Sequence, residues 1–188
     1  MSNGVSFDAL IPKEMATKAE NVGIAKANLG AAQMFALAIL AGAFIAMGAN
    51  YATTVWAGLG KIVVNAGKDV AFTTGFPYGL QRLLGGLVFT TGLIMVVVGG
   101  SELFTGNCLI PMAWASNKVT TGAMLRNWVI VYIGNFVGSV VTAYFVFLGK
   151  QHLMGGGAVG VTALNIGIAK TSLGFVQCIF LAIFCNAL

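Results

Sequence analysis

The chain has 188 residues, of which 58% are hydrophobic and 8% are charged, and its formal net charge is +5. Soluble domains carry about 25% charged residues, so this composition excludes an ordinary globular protein and predicts an all-α integral membrane protein. The basic residues are spread along the chain rather than clustered, which excludes a nucleic-acid-binding patch.

The N-terminal segment, residues 1–29, is polar, and its acidic and basic residues alternate without an apolar central region. A cleavable signal peptide needs such a region, so we expect an amphipathic segment lying at the membrane surface. An apolar run follows over residues 30–57, and a bilayer core requires about 20 apolar residues per helix. This run is the first predicted span of a transmembrane domain covering residues 30–188, and a polar connection over residues 58–78 comes after it.

The next apolar segment is too long for one span. Between Arg82 and Lys118 lie 35 residues whose only charge is Glu102. A straight helix of that length would measure about 52 Å, so the helix must break. We predict a half-helix from about Leu80 to Val98, a non-helical loop, and a second half-helix from about Asn107 to Ala115.

The predicted break carries the sequence GGSELFTGN, in which Gly100 and Gly106 bracket the loop. Backbone that leaves the helix at membrane depth is tolerated only inside protein or beside a water-filled cavity. Transporters commonly build substrate sites from helices broken in this way. The loop is therefore predicted to form the wall of a pore.

Two side chains of the loop are candidates for chemistry. A carboxylate at membrane depth is costly unless it is satisfied, so Glu102 is either a cation or proton site or an acceptor for amides freed at the break. The structural role is favoured, because the apolar runs hold no second acid. Thr105 either hydrogen-bonds a passing anion or neutral acid, or caps the second half-helix.

The third predicted span runs from about Gly122 to Leu148 and contains the sequence GNFVGS. Gly134 and Gly138 stand at the spacing that lets two helices pack closely. Ordinary helix packing is sufficient to explain this pair.

The last part of the chain is predicted to be a glycine-rich connection over residues 149–170 and a short final span that opens at Thr171. We expect the chain to end inside this helix. His152 is expected to be a solvated loop residue. Lys170 either attracts anions to a pore mouth or is a snorkelling lysine at a helix end, and Asn186 is either a polar pathway group or a helix-packing amide.

No enzyme, cofactor or metal site is predicted. The sequence lacks a P-loop, a G-x-G-x-x-G motif and a serine elbow, and it has one histidine. The three cysteines lie in apolar runs, which indicates reduced thiols rather than a metal site. These are Cys108, Cys178 and Cys185.

The motifs GSELFTGN and GNFVGS, followed by AKTSLGFVQCIFLAIFCNAL, resemble the formate/nitrite transporter family from about residue 20 to the last residue. The resemblance implies an aquaporin-like helical bundle of two inverted repeats, with broken second and fifth helices and a homopentameric assembly. This chain would supply helices one to three and most of helix four of the channel domain. Aquaporins themselves are disfavoured, because neither Asn-Pro-Ala motif is present.

The resemblance also implies roles for individual residues. Thr105, Lys170 and Asn186 match the family's substrate pathway, and Glu102 and Asn107 lie in its structural loop. The family's central histidine belongs to the fifth helix, and His152 does not match it. The apolar residues that match the pore constrictions are Phe89, Leu93, Leu103 and Phe104.

The function that follows is a channel for small monovalent anions in the cytoplasmic membrane, with formate favoured and with pH-dependent, proton-assisted passage. Nitrite and hydrosulfide have the same charge and also form weak acids, so both remain alternatives. Two other classes also stay open, a neutral-solute channel for water or glycerol and a membrane anchor for a redox enzyme.

Overall fold

The computed structural model describes residues 10–59, 62–65, 69–72 and 77–187. Three helices in these ranges are long and apolar enough to cross a membrane, and a bent pair of helices could form a fourth span. The predicted all-α membrane architecture is confirmed. The helices, in chain order, are α1 (Pro12–Ala27), α2 (Ala31–Leu59), α3 (Tyr78–Val98), α4 (Phe104–Asn107), α5 (Ile110–Ala115), α6 (Thr121–Leu148), α7 (Ala158–Thr171) and α8 (Phe175–Ala187), with a 3-10 turn at Gln151–Leu153.

A short hairpin interrupts the predicted polar connection between α2 and α3. Strands β1 (Ile62–Asn65) and β2 (Asp69–Phe72) pair antiparallel, with Ile62 opposite Phe72 and Asn65 opposite Asp69. The run of β-branched residues at the start of β1 suits an extended strand. Lys61 and Lys68 of this connection lie outside the described residues.

Helix α2 is the central span, and α6 packs against it through small residues. A Cβ atom added to Gly134 would lie 2.5 Å from the Cβ of Ala38, and one added to Gly138 would overlap the carbonyl oxygen of Ile39. A Cβ atom added to Gly42 of α2 would likewise overlap the carbonyl oxygen of Asn135. The close approach predicted from the Gly134 and Gly138 spacing is confirmed.

Helix α3 also packs against α2 through close contacts between glycines. A Cβ atom on Gly48 would lie 3.0 Å from the Cα of Gly92, and one on Gly92 would lie 2.8 Å from the carbonyl oxygen of Phe44. Between helices in lipid, such small residues allow backbones to approach closely and gain van der Waals contact. The two glycine contacts therefore fix where α3 lies along α2.

The predicted break after α3 is present, and glycine conformation causes it. Gly100 has φ of +59°, a left-handed conformation that glycine adopts without steric cost. The N–H of Gly100 donates to Val97 O (3.2 Å) and the N–H of Ser101 donates to Val96 O (3.1 Å). These two bonds form a Schellman motif, which ends a helix and satisfies its last carbonyl groups.

The second half-helix differs from the prediction. It begins earlier, as the single turn α4, and it is interrupted at Cys108 and Leu109 before α5 starts. The cause is Pro111, whose ring would clash with the carbonyl of Asn107 in a continuous helix. In the first turn of α5 the missing N–H of proline costs nothing, because those amides have no intrahelical acceptor.

The segment predicted as a glycine-rich connection over residues 149–170 is largely helical, and that prediction was wrong. Gly155, Gly156 and Gly157 have φ of +62°, +64° and +91° and form the turn that starts α7. The last helix, α8, therefore begins at Phe175 rather than Thr171, and the chain bends by 108° between α7 and α8. The bend comes directly after Ser172, whose hydroxyl donates to Ile168 O (2.7 Å) in the last turn of α7. Such a bond from a serine side chain to the preceding turn often accompanies a bend in a helix.

Helix α1 is held against α5 by packing and by charge. An added Cβ at Gly23 would lie 3.2 Å from the Cβ of Ala113, so the two helices are in close contact. The ammonium of Lys118 and the hydroxyl of Ser116 donate to the Glu20 carboxylate. These hydrogen bonds, led by that of Lys118, lower the pKa of Glu20 below its usual value.

We predict that Gly138→Ala destabilises the bundle by about 1–3 kcal/mol, because the added methyl group forces α2 and α6 apart. The matched control is Gly86→Ala in α3, where an added Cβ meets no atom within 4 Å. Alanine in an open helical position should stabilise by about 0.5–1 kcal/mol relative to glycine. Thermal unfolding of both variants in detergent measures the difference, and equal midpoints would contradict the close contact.

Candidate functional site

The centre of the loop at the break, Ser101 and Glu102, lies against α2 and is buried. Ser101 and Glu102 are 6% and 4% exposed. The N–H of Glu102 donates to the carbonyl oxygen of Leu37 in α2 (3.2 Å), and the Ser101 hydroxyl donates to Val96 O (3.3 Å). The loop is thus attached to both neighbouring spans by hydrogen bonds.

A single amide side chain, that of Asn135 in α6, satisfies two further backbone groups of the loop. Its Oδ1 accepts the N–H of Phe104 (2.9 Å), the first residue of α4. Its Nδ2 donates to Glu102 O (2.9 Å) and to Ala38 O in α2 (2.8 Å). Asn135 therefore joins the loop, α2 and α6 at one point, and it supplies the internal partners that backbone at membrane depth requires.

The carboxylate of Glu102 is neutralised by a cation from the N-terminal helix. Lys26 Nζ of α1 lies 2.8 Å from Glu102 Oε1, and the two side chains are 21% and 6% exposed. The other oxygen, Oε2, accepts a hydrogen bond from Asn107 Nδ2 (2.8 Å). The sequence predicted that Glu102 would accept from freed backbone amides, but its partners are these two side chains.

These contacts continue into a closed ring of hydrogen bonds. Asn107 Nδ2 also donates to Asn127 Oδ1 of α6 (2.8 Å), and Asn127 Nδ2 donates to the carbonyl oxygen of Lys26 (3.1 Å). The ring therefore begins at the Lys26 ammonium and ends at the Lys26 backbone. Asn107 and Asn127 are fully buried, and Trp128 Nε1 donates to Asn107 O (3.0 Å).

Arg126 fixes the end of α1 beside this ring. Its Nη2 donates to Ala27 O (2.9 Å) and to Leu29 O (3.0 Å), where the helix would otherwise leave carbonyl groups unsatisfied. A cation at a helix C-terminus also interacts favourably with the helix dipole. Lys26 is consequently placed by a helix end that is itself anchored.

Thr105 lies in α4, and its side chain is exposed. The N-cap of α4 is Leu103, and no side chain caps it, so the capping alternative for Thr105 was wrong. Within the described residues its hydroxyl has no hydrogen-bond partner. The neighbouring Phe104 is half-buried and meets the ring of Tyr132 edge-on at 5.6 Å, which fixes its orientation on α6.

The other predicted pathway residues are not gathered at the break. Phe89 and Leu93 lie one turn apart on α3, with Leu93 on an exposed face. Lys170 is exposed in the last turn of α7 rather than at the end of a loop, which corrects its predicted setting. Asn186 belongs to α8, but its side chain lies outside the described residues.

His152 is not the solvated loop residue that was predicted. It lies in the 3-10 turn, which folds back so that the imidazole stacks on the ring of Phe147 at 5.0 Å. Its Nδ1 is buried and has no hydrogen-bond partner among the described residues. The aromatic face of α6 thus removes one side of the imidazole from solvent.

Sequence reasoning missed three residues that organise the site, namely Lys26, Asn127 and Asn135. Asn127 and Asn135 stand in the apolar third span, where an amide needs an internal partner, and that requirement is a usable signal. Lys26 offered no such signal, because it belongs to a polar segment with several other basic residues.

We predict that Lys26→Met destabilises the protein by about 3–5 kcal/mol, because it leaves the Glu102 carboxylate buried without its cation. The double variant Lys26→Met/Glu102→Gln should recover much of that loss, since a neutral amide is less costly to bury. Chemical or thermal unfolding in detergent measures both. A double variant as unstable as Lys26→Met would show that the ion pair is not the cause.

We predict that Asn135→Ala destabilises the break by about 1–3 kcal/mol for each backbone group left unsatisfied. Hydrogen exchange at the Phe104 amide should become faster, because its acceptor is removed. The matched control is Thr142→Ala in the same helix, whose hydroxyl donates only to Gly138 O one turn earlier. Unchanged exchange at Phe104 in Asn135→Ala would contradict the assigned hydrogen bond.

The comparison with known proteins agrees with this geometry. The sequence pattern described as formate/nitrite transporter matches residues 13–188. The chain is 34% identical to the formate channel FocA of Escherichia coli K12 over 180 residues, which is 96% of this chain and 58% of that protein. It is 37% identical to the formate channel FocA of Haemophilus influenzae over 182 residues, 97% of this chain and 59% of that protein.

A third relative is the probable formate transporter of Methanothermobacter thermautotrophicus, 40% identical over 121 residues, or 64% of this chain and 39% of that protein. The chain therefore spans less than two thirds of the length of these relatives. The family pattern covers nearly the whole chain, including the broken second span and the ring around Glu102. The chain belongs to the formate/nitrite transporter family.

Proposed function

We propose that this chain forms part of a channel for small monovalent anions, with formate as the principal substrate. The observation that carries the proposal is the loop at the broken second span, buried at Ser101 and Glu102 and hydrogen-bonded to α2 and α6, in a chain whose relatives include named formate channels. Such a loop places non-helical backbone at membrane depth, where it is tolerated beside a solute pathway. Transport rather than catalysis is the activity that this arrangement serves.

The charges around the loop favour an anion over a cation. The carboxylate of the loop is not available to a cation, because Glu102 is already paired with Lys26 and hydrogen-bonded to Asn107. The loop therefore presents no net negative charge that would repel an anion. Beside it, the exposed Thr105 hydroxyl can donate a hydrogen bond to a carboxylate or accept one from its conjugate acid.

Passage past apolar residues sets the expected pH dependence. Leu103 and Phe104, which directly precede Thr105, are the proposed residues of one constriction, and Phe89 and Leu93 of α3 are those of a second. A bare charge is costly between apolar side chains, and protonation to the neutral acid lowers that cost. Lys170 attracts the anion before this step, and Asn186 is proposed to line the same pathway. Flux should accordingly rise as the external pH falls and more of the weak acid becomes protonated.

Gly100, Gly106 and Asn107 hold the loop in place in this proposal and do not contact the solute. Gly100 supplies the left-handed turn, and Asn107 links Glu102 to α6. The assembly is proposed to be a homopentamer in the cytoplasmic membrane, with one pore for each subunit. Nitrite is the second candidate substrate, because the matching family pattern is named for both anions.

We predict that Lys170→Glu abolishes formate flux, because a negative charge at the pore mouth repels the anion. Lys170→Arg, which keeps the charge, should retain most of it. The complete gene product is reconstituted in proteoliposomes, and uptake of formate, nitrite, hydrosulfide and glycerol is compared at two pH values. Glycerol flux without anion flux would contradict the proposed class, and normal formate flux in Lys170→Glu would contradict the role of Lys170.

A further inference from the structure

A cavity away from the break lies where the end of α2, the start of α3 and helix α7 come together. Its volume is about 720 Å³, and its lining includes Trp56, Arg82 and Asn165 together with the three glycines before α7. None of the residues assigned to the solute pathway lines it. The cavity therefore requires a separate explanation.

The cation of this cavity is held by two aromatic rings, and no acid pairs with it in the part of the chain that the structure describes. The Arg82 guanidinium stacks on Trp56 at 4.8 Å and on Tyr78 at 4.9 Å. Trp56 is itself fixed, because its Nε1 donates to Gln81 O (3.0 Å). Among the described residues Arg82 forms neither an ion pair nor a hydrogen bond, so its planar set of N–H donors is available to a ligand.

The cavity also holds further available donors, besides the Gln81 amide and the Thr162 hydroxyl, which already donate to backbone carbonyls. The backbone N–H groups of Gly155 and Gly156 have no acceptor within the described part of the chain, and the Asn165 side chain is exposed without a hydrogen-bond partner there. No carboxylate occurs among the described lining residues. A cavity with a fixed guanidinium, free amides and no acid is complementary to an anion, and a phosphate group suits a guanidinium particularly well.

The surroundings of the cavity select a lipid as the source of that phosphate. Trp56 and Tyr78 stand at the ends of spans, where aromatic residues lie at headgroup level. The lining also includes apolar side chains of α7, those of Val161, Ile166 and Ala169. A phospholipid matches both parts, with its phosphate beside the guanidinium and its acyl chains along α7.

We propose that this cavity binds the phosphate group of an anionic phospholipid, with Arg82 as the principal contact. The site is independent of the transport function proposed above. The test is native mass spectrometry of the detergent-solubilised protein titrated with phosphatidylglycerol, with phosphatidylcholine and inorganic phosphate as separate arms. Arg82→Ala should weaken phosphatidylglycerol binding about tenfold, the scale of a charge-assisted hydrogen bond, while phosphatidylcholine binds more weakly throughout.

The matched control is Lys150→Asn, which removes a cation near the same end of the bundle but outside the cavity and suits the left-handed backbone there. It should change binding less than twofold. If Arg82→Ala does not fold, Arg82→Gln decides, because it keeps a hydrogen-bonding side chain and removes the charge. Unchanged binding in the Arg82 variants, an equal loss in Lys150→Asn, or displacement of the lipid by inorganic phosphate would overturn the proposal.

Discussion

The architecture of this chain depends on one requirement, that backbone leaving a helix inside the membrane must find hydrogen-bond partners within the protein. At the break after α3, one side chain and one backbone carbonyl provide several of these partners. Asn135 uses its acceptor and both donors on the loop and α2, and Leu37 accepts the N–H of Glu102. Because Asn135 reaches two spans at once, the close α2–α6 packing through glycine is a precondition for the loop rather than a separate feature.

The buried charge at the break is also satisfied by a few side chains. The ring through Lys26, Glu102, Asn107 and Asn127 satisfies a buried carboxylate and connects α1 to the membrane core. Buried ion pairs stabilise little relative to apolar replacements, but breaking one is strongly destabilising. The ring therefore makes the position of α1 depend on the loop, and the position of the loop depend on α1.

The spans and the break could be predicted from sequence, because composition and the glycines at 99–100 act locally. The start of the second half-helix was predicted too late in the chain. The ring of Pro111 clashes with the carbonyl of Asn107 only if both lie in one helix, so the interruption before Pro111 was not foreseen. Helix α7 was missed because its glycines resemble a connection. Three of them form the turn before the helix, and of the two inside it Gly167 is open, whereas Gly160 packs closely against the His152 backbone. The partners of Glu102 could not be predicted, since Lys26 lies 76 residues away along the chain and their meeting depends on how α1 packs against α5.

The wide sequence separation within the ring has a consequence for how the protein is made. Lys26 leaves the ribosome first, Glu102 and Asn107 follow, and Asn127 and Asn135 come last with α6. Until α6 enters the bilayer, the loop lacks most of the partners that make its depth tolerable. The loop can therefore complete its hydrogen bonds only after the third span has entered the bilayer.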